Sequence, residues 1–294
     1  GIVFSLVFVI LQFGTTAYSP RITRLFARSR ALGHALGVFT GTFVYSLLAL
    51  RTLGMAGDSG VSALTVWMAL AWLLVSIAVL AELIRLFSGL TIGNVLVALS
   101  TAGRKSIDRL YTPLETVDHR PRFARSREGG GKVAVTQQVI HEGEPAYVTH
   151  FDTASLVALA EGADAVIELP LAVGDAVRDG EPVALVRGSD SSIPDGRIHR
   201  AIRLGRERAF KEDPRYALRL LVDMAIRALS PAINDPTTAV QALDHIEMLL
   251  HRLGNSQLGA GEVKDGRGRV RLFFRAPGWE DFLRLGLLEI MQYG

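Results

Sequence analysis

Residues 61–81, VSALTVWMALAWLLVSIAVLA, carry no charged side chain, and the run ends at Glu82. A helix needs about 20 apolar residues in a row to cross a hydrocarbon core of about 30 Å, so this stretch alone suffices. Toward the N-terminus, 33–50 (GHALGVFTGTFVYSLLAL) is a second apolar run closed by Arg51, and 2–18 (IVFSLVFVILQFGTTAY) is a third that stops at Ser19-Pro20. Three membrane helices are expected, at about 2–18, 33–54 and 61–87. The first starts abruptly without methionine, so part of that span is expected upstream, and an outside-to-inside direction for it, as the loop charges imply, requires a further span before it. A cleaved signal peptide fits it poorly, because it lacks a basic leader and an A-x-A site before Pro20.

Charge is spread unevenly over the 294 residues. The chain is 49% hydrophobic and 21% charged, has no cysteine and carries a formal +3. Residues 1–87 hold only Arg21, Arg24, Arg28, Arg30, Arg51, Arg85, Asp58 and Glu82, a net +4. Residues 88–132 add another +4, and 133–294 carry −5. The basic excess therefore belongs to the ends of the apolar runs, which excludes a nucleic-acid reader with a basic face. The absence of cysteine excludes a disulfide scaffold and a cysteine zinc site. Four arginines sit in SPRITRLFARSR (19–30), while the next loop, RTLGMAGDSG (51–60), has one arginine and one aspartate. Arg104, Lys105, Arg109, Arg120, Arg122, Arg125 and Arg127 follow the third run. The positive-inside rule puts the first and last of these regions on the cytoplasmic side and the second loop outside. The protein is expected to be multi-pass, with its C-terminal part cytoplasmic.

Within the second run Gly33, Gly37 and Gly41 recur every four residues and line one helix face, where another helix of the same chain or of a second copy can approach closely. Glu82 and Arg85 lie one turn apart and can pair. Residues 90–103, LTIGNVLVALSTAG, are too short to span. They could extend the third helix, lie in the interface or, with Asn94 as the strongly polar side chain, border the inner mouth of a pore. Glu82, Arg85 and Asn94 are the candidate mouth residues.

Residues 113–132 read as a basic linker containing Gly129-Gly130-Gly131, and its arginines would suit anionic headgroups. Beyond it the pattern is short β-type runs, KVAVTQQVI and AYVTHF, then TASLVALAEGA as a helix and AVIELPLAVGDAVRDGEPVALVRG as strands with turns at Gly174-Asp175 and Asp179-Gly180. The last stretch resembles biotinyl/lipoyl hairpins, but no lysine stands between Lys132 and Lys211 to carry a prosthetic group. A small β-barrel or sandwich at 133–192 is expected, with a structural role.

Residues 193–294 read as a helical part with a late strand, RVRLFFRA, and a helix starting near Trp279. Asp213-Pro214 and Asp235-Pro236 each place an N-cap acceptor before a proline at the first helical position. In the first helix Leu218, Leu221, Val222, Ala225 and Leu229 form the apolar stripe, with Arg215, Arg219, Asp223 and Arg227 on a charged one. Ser230-Pro231-Ala232-Ile233-Asn234 is the turn of a helical hairpin.

The run LGRERAFKEDPRYALRLLVDMAIRALSPAINDPTTAVQALD (204–244) is similar to the signature of a bacterial family of predicted integral membrane proteins, domain of unknown function number 2254. GVFTGTFVYSLLALRT resembles its membrane half. The matching residues are Gly205, Arg206, Glu207, Arg208, Asp213, Asp223, Ala228, Leu229, Ser230, Pro231, Asn234, Asp235, Pro236 and Thr238. The resemblance implies several N-terminal spans before a cytoplasmic half, and no catalytic residues.

Nothing in the chain spells a catalytic or cofactor motif: there is no H-E-x-x-H, P-loop, G-x-G-x-x-G or G-x-S-x-G. No catalytic, cofactor or metal residues are expected, and no enzyme. The reading is a membrane α-helical part followed by an α+β cytoplasmic part, with the bilayer and further copies of itself as partners and no nucleic acid. A homo-oligomeric ion channel or small-solute pathway is slightly favoured over a non-conducting anchor whose cytoplasmic part binds a partner or ligand.

Overall fold

The computed structural model describes residues 30–55, 62–88, 91–114, 134–188, 192–209, 212–258 and 261–293. The expected span at 2–18, the arginine-rich loop after it and residues 115–132 of the linker lie outside the described residues. The chain forms two compact units, Gly1–Val95 and Leu96–Gly294.

In the first unit, α1 (Arg30–Met55) and α2 (Ala63–Ser88) pack as an antiparallel pair. Both contain stretches long and apolar enough to cross a membrane, Gly33–Arg51 and Ala63–Arg85. Two side-chain hydrogen bonds join them. Thr42 Oγ1 donates to the Val38 carbonyl at 2.8 Å and lies 2.8 Å from Ser76 Oγ, so the Ser76 hydroxyl is the donor across the interface. Tyr45 donates to the Thr65 carbonyl at 3.0 Å. The outer faces expose Phe43, Leu47, Leu50, Leu64, Trp67 and Leu74. A water-soluble helix pair would bury such faces.

Helix α3 (Ile92–Leu110) starts at the end of the first unit and continues into the second; it is amphipathic and buries Leu96, Leu99, Gly103 and Ile107 on one side. There follow β1 (Thr112–Pro113), β2 (Val135–Ile140), β3 (Ala146–Phe151), α4 (Thr153–Gly162), β4 (Val166–Leu169), β5 (Ala176–Val177), β6 (Pro182–Arg187), α5 (Asp195–Ala201) and β7 (Ile202–Gly205). The remainder is α6 (Pro214–Leu229), α7 (Pro236–Gly254), β8 (Ser256–Gln257), β9 (Glu262–Lys264), β10 (Val270–Phe274) and a C-terminal helix, α8 (Trp279–Leu283) and α9 (Glu289–Tyr293) joined through a π-helical turn (Arg284–Leu288).

Three sheets result: β2-β6-β4-β10-β9, β5-β3-β7, and the short pair β1-β8. Among the described residues the strand pairings are antiparallel except β10 with β4, where Leu272 stands opposite Ile167. The first two sheets share one apolar core with α4 and α5, built around Val139, Val148, Leu156, Ile167, Ile198 and Leu272. The expected boundary at 192/193 has no counterpart, because β10 completes the sheet begun by β2 and β7 pairs with β3. The mixed open sheet also differs from a self-contained barrel or sandwich at 133–192, since its strands are shared with the later chain.

Helix α6 is buried well beyond the expected stripe: Leu220 and Met224 are enclosed as well, whereas Leu229 is only half-buried. It is covered on several sides, by α7, by the C-terminal helix, and at Ala217 by the approach of α3. A Cβ on Gly103 of α3 would lie 2.9 Å from Leu249 Cδ1 and 3.0 Å from Ala217 Cβ. Gly286, in the π-turn, seats against Leu250 and Ile246 in the same way, at 3.3 and 3.5 Å.

The parallel β4–β10 contact is pinned by charge. Arg271, buried, donates from Nε to Asp265 at 3.0 Å, from Nη2 to Asp164 at 2.7 Å and from Nη1 to the Ala165 carbonyl at 3.0 Å. Burial alone would raise the Asp265 carboxyl. The Arg269 N–H, the Arg271 guanidinium and the Arg267 N–H outweigh it and hold the group down from 3.8 to about 2.

Gly103→Val is expected to cost about 1–3 kcal/mol through overpacking, read as a lowered denaturant midpoint. A pH effect follows from Asp265. Its folded pKa lies below its unfolded one, so its stabilisation is complete above the unfolded value of 3.8 and disappears as pH falls through about 2. Asp265→Asn should remove that part of the acid sensitivity, measured as unfolding free energy against pH.

Candidate functional site

The signature residues separate into two places. The first is the turn between α6 and α7. Asn234 takes a left-handed conformation (φ +47), and its N–H bonds the Ser230 carbonyl at 2.8 Å, while the Ser230 hydroxyl returns to the Arg227 carbonyl at 2.6 Å. Pro236 opens α7, and Asp235 caps it as expected, accepting from Thr238 N–H at 3.0 Å and Thr238 Oγ1 at 2.5 Å. The hydroxyl bond, then the backbone bond, lowers the Asp235 pKa. The role of this group is to turn the chain and start a helix.

The second place surrounds Asp213. It occupies the N-cap position of α6, but its side chain makes no capping hydrogen bond, contrary to expectation. The carboxylate is only 1% exposed, and its Oδ2 accepts from Arg208 Nε at 2.7 Å and Nη2 at 2.6 Å. Oδ1 lies 3.8 Å from Arg215 Nε and has no hydrogen-bond partner among the described residues. The cause of the turned side chain lies in the loop between β4 and β5. Gly174 adopts φ +88, and a Cβ there would stand 2.1 Å from Asp213 Oδ2. Only glycine admits the carboxylate so close to the backbone.

Arg215 clamps the same loop, donating to the Val173 carbonyl at 2.5 Å and to Asp175 at 2.9 Å. Asp175 in turn accepts from Ala172 N–H at 2.9 Å. The Arg208 guanidinium also lies 5.2 Å from the Tyr216 ring centroid. Burial raises the Asp213 pKa, opposed by Arg208 and Arg215. Burial likewise pushes the Tyr111 phenol up to about 12, with Arg215 lowering and Asp213 raising it, and Tyr111 packs edge-on to Phe282 at 6.4 Å. Tyr111, Gly174, Asp175 and Arg215 thus join a cluster that the signature alone did not delimit. The Gly-Asp turn and the charged stripe hinted at three of them, and Tyr111 carried no signal.

The other expected residues are dispersed. Arg206 pairs at 3.1 Å with Glu144 where both are largely exposed, a contact of small energetic value. Gly205 sits on β7, where a Cβ would come 2.9 Å from Thr149 Cγ2 and 3.4 Å from the Glu207 carbonyl. Asp223 pairs back to Arg219 at 2.8 Å, and Arg219 also bonds Glu289. Of the glycine series, Gly41 faces the Trp72 ring at 3.8 Å, while Gly33 and Gly37 have nothing among the described residues within 4 Å of a Cβ. Glu82 and Arg85 pair at 3.3 Å, both exposed, and Asn94 is exposed in the first turn of α3. Among the described residues no three His, Asp or Glu side chains are grouped to hold a metal. A cavity of about 510 Å³ beside β2 and α5 is lined by Gln138, Ile140, His141, Glu142, Asp195 and His199, none of them from the signature.

The family model described as Predicted membrane protein (DUF2254) matches residues 1–294. Uncharacterized protein Mb1321c of Mycobacterium bovis and Uncharacterized protein Rv1290c of Mycobacterium tuberculosis are each 32% identical over 305 residues, covering 100% of this chain and 57% of the relative. The chain therefore spans just over half the length of these relatives. No solved structure matches.

Arg208→Met strands a buried carboxylate, so about 3–5 kcal/mol of stability should be lost. Adding Asp213→Asn should restore a large share, and a double-mutant cycle of unfolding free energies measures the coupling.

Proposed function

The chain belongs to this family of predicted membrane proteins, and on that premise we propose that it is a membrane-anchored module: α1 and α2 embed in the bacterial inner membrane and hold the 96–294 unit at the cytoplasmic face, without catalysis. One observation carries this reading. Thr42 meets Ser76 and Tyr45 reaches the Thr65 carbonyl within the pair, while bulky apolar side chains run along the outside. That is the distribution a lipid-facing, sealed pair needs, since hydrocarbon satisfies no hydrogen bond. The orientation is supported by the arginines at 21–30 and 104–127 against the weakly charged loop at 51–60. In this role the second unit presents itself to a protein or a small ligand, and the cavity beside β2 offers such a ligand two carboxylates and two imidazoles.

A second reading, a homo-oligomeric ion channel or small-solute pathway, is favoured by the open space above Gly33 and Gly37, where a helix of another copy could approach, and by the exposed Glu82–Arg85 pair. Ion flux through the purified chain in liposomes separates the two. The anchor predicts no flux above protein-free liposomes. Flux that Glu82→Gln or Asn94→Ala reduces would overturn it in favour of the channel.

A further inference from the structure

Helix α3 has a second face that the packing of its unit leaves open. Leu96, Leu99, Gly103 and Ile107 point into the unit. On the opposite side lie Asn94, Val97 and Ala98 and, two turns further along the same face, Arg104 and Lys105; all are exposed, Val97 by 53%, with Thr101 half-buried between them. The acidic side chain on this face, Asp108, is neutralised by Arg252 of α7 at 2.7 Å. The face is thus apolar toward its N-terminal end and cationic further on.

Chain connectivity limits where this face can be. The apolar helix α2 ends at Ser88 and α3 begins at Ile92, so their ends are within about 14 Å of each other even with the intervening chain fully extended. Val97 follows about 8 Å along the axis of α3, and Lys105 about 20 Å along it. A helix that begins beside a bilayer, presents small apolar side chains first and lysine and arginine next, and buries its other face in protein has the pattern of an interfacial element on an anionic surface.

We propose that the outer face of α3, from Val97 to Lys105, docks on anionic phospholipid headgroups of the membrane that holds α1 and α2, with Arg104 and Lys105 contacting the phosphates. This rests on the embedding and orientation given under the proposed function. It adds that the second unit is held against the bilayer surface by lipid charge as well as by its covalent link.

The absence of cysteine makes single-cysteine reporters straightforward. An environment-sensitive fluorophore on Ala98→Cys, in the full chain reconstituted in phosphatidylcholine with or without phosphatidylglycerol, would be read for quenching by headgroup-attached spin labels. Leu47→Cys, quenched by acyl-chain spin labels, reports embedding independently. The expected result is quenching at position 98 that requires phosphatidylglycerol and falls at high salt. Arg104→Gln with Lys105→Gln should lower the equilibrium constant for contact roughly thirtyfold, and Arg104→Lys should retain it. Arg197→Gln with Arg267→Gln, the same loss of charge on exposed positions elsewhere, should leave it unchanged. Quenching at 98 that is equal in phosphatidylcholine alone, or absent while position 47 is quenched, overturns the lipid-docking inference and leaves the embedding reading standing. Absence of quenching at 47 overturns both.

Discussion

The parallel pairing of β10 with β4 is the constraint around which the 96–294 unit is organised. Leu272 must return beside Ile167 after α5, β7, the α6–α7 hairpin, β8 and β9 have all been laid down. The chain leaves this sheet after β6 and rejoins it at β9 and β10, so α5, β7, the α6–α7 hairpin and β8 all lie within one excursion from it. Arg271 serves this closure directly. It reaches Asp164 and the Ala165 carbonyl just before β4 and Asp265 just before its own strand. A buried arginine is costly unless its donors are occupied, and these acceptors occupy them only when both strands are in place.

Asp213 supplies the complementary tie on another edge of the unit. The loop at 172–175 comes from the sheet, Arg208 from the chain leaving β7, and Arg215 from the first turn of α6. The carboxylate has a place only because Gly174 has no side chain. Several residues of the longest recognisable string in the sequence thus have structural parts: they turn the chain, start a helix and join a loop to a helix. A family signature dense in charged residues can therefore be a record of folding constraints.

Much of the fold was legible because the local patterns were strong. The apolar runs at 33–50 and 61–81, the strands at 135–140, 146–151 and 270–274, and the Asp-Pro helix starts at 213–214 and 235–236 all carried their own signals. What was not legible was mostly non-local. Nothing in 202–205 or 262–264 distinguishes a strand from a loop until β3 and β10 are there to pair with. Capping is a local rule and points to Asp213 as a cap, but Arg208, with the room left at Gly174, draws the carboxylate elsewhere. Equal spacing also made Gly33, Gly37 and Gly41 look equivalent, yet only Gly41 meets Trp72.

The hydroxyl bonds between α1 and α2 bear on how that pair can move. Sliding one helix past the other by a single turn, about 5.4 Å, would part Thr42 from Ser76 and Tyr45 from Thr65 together. In the bilayer placement proposed above, neither Ser76 nor Tyr45 would find water to replace the lost partner. Lengthwise ratcheting between the two helices is thereby disfavoured, and rocking of both as one rod is not. Any mechanical signal passing along this pair would travel as a change of tilt.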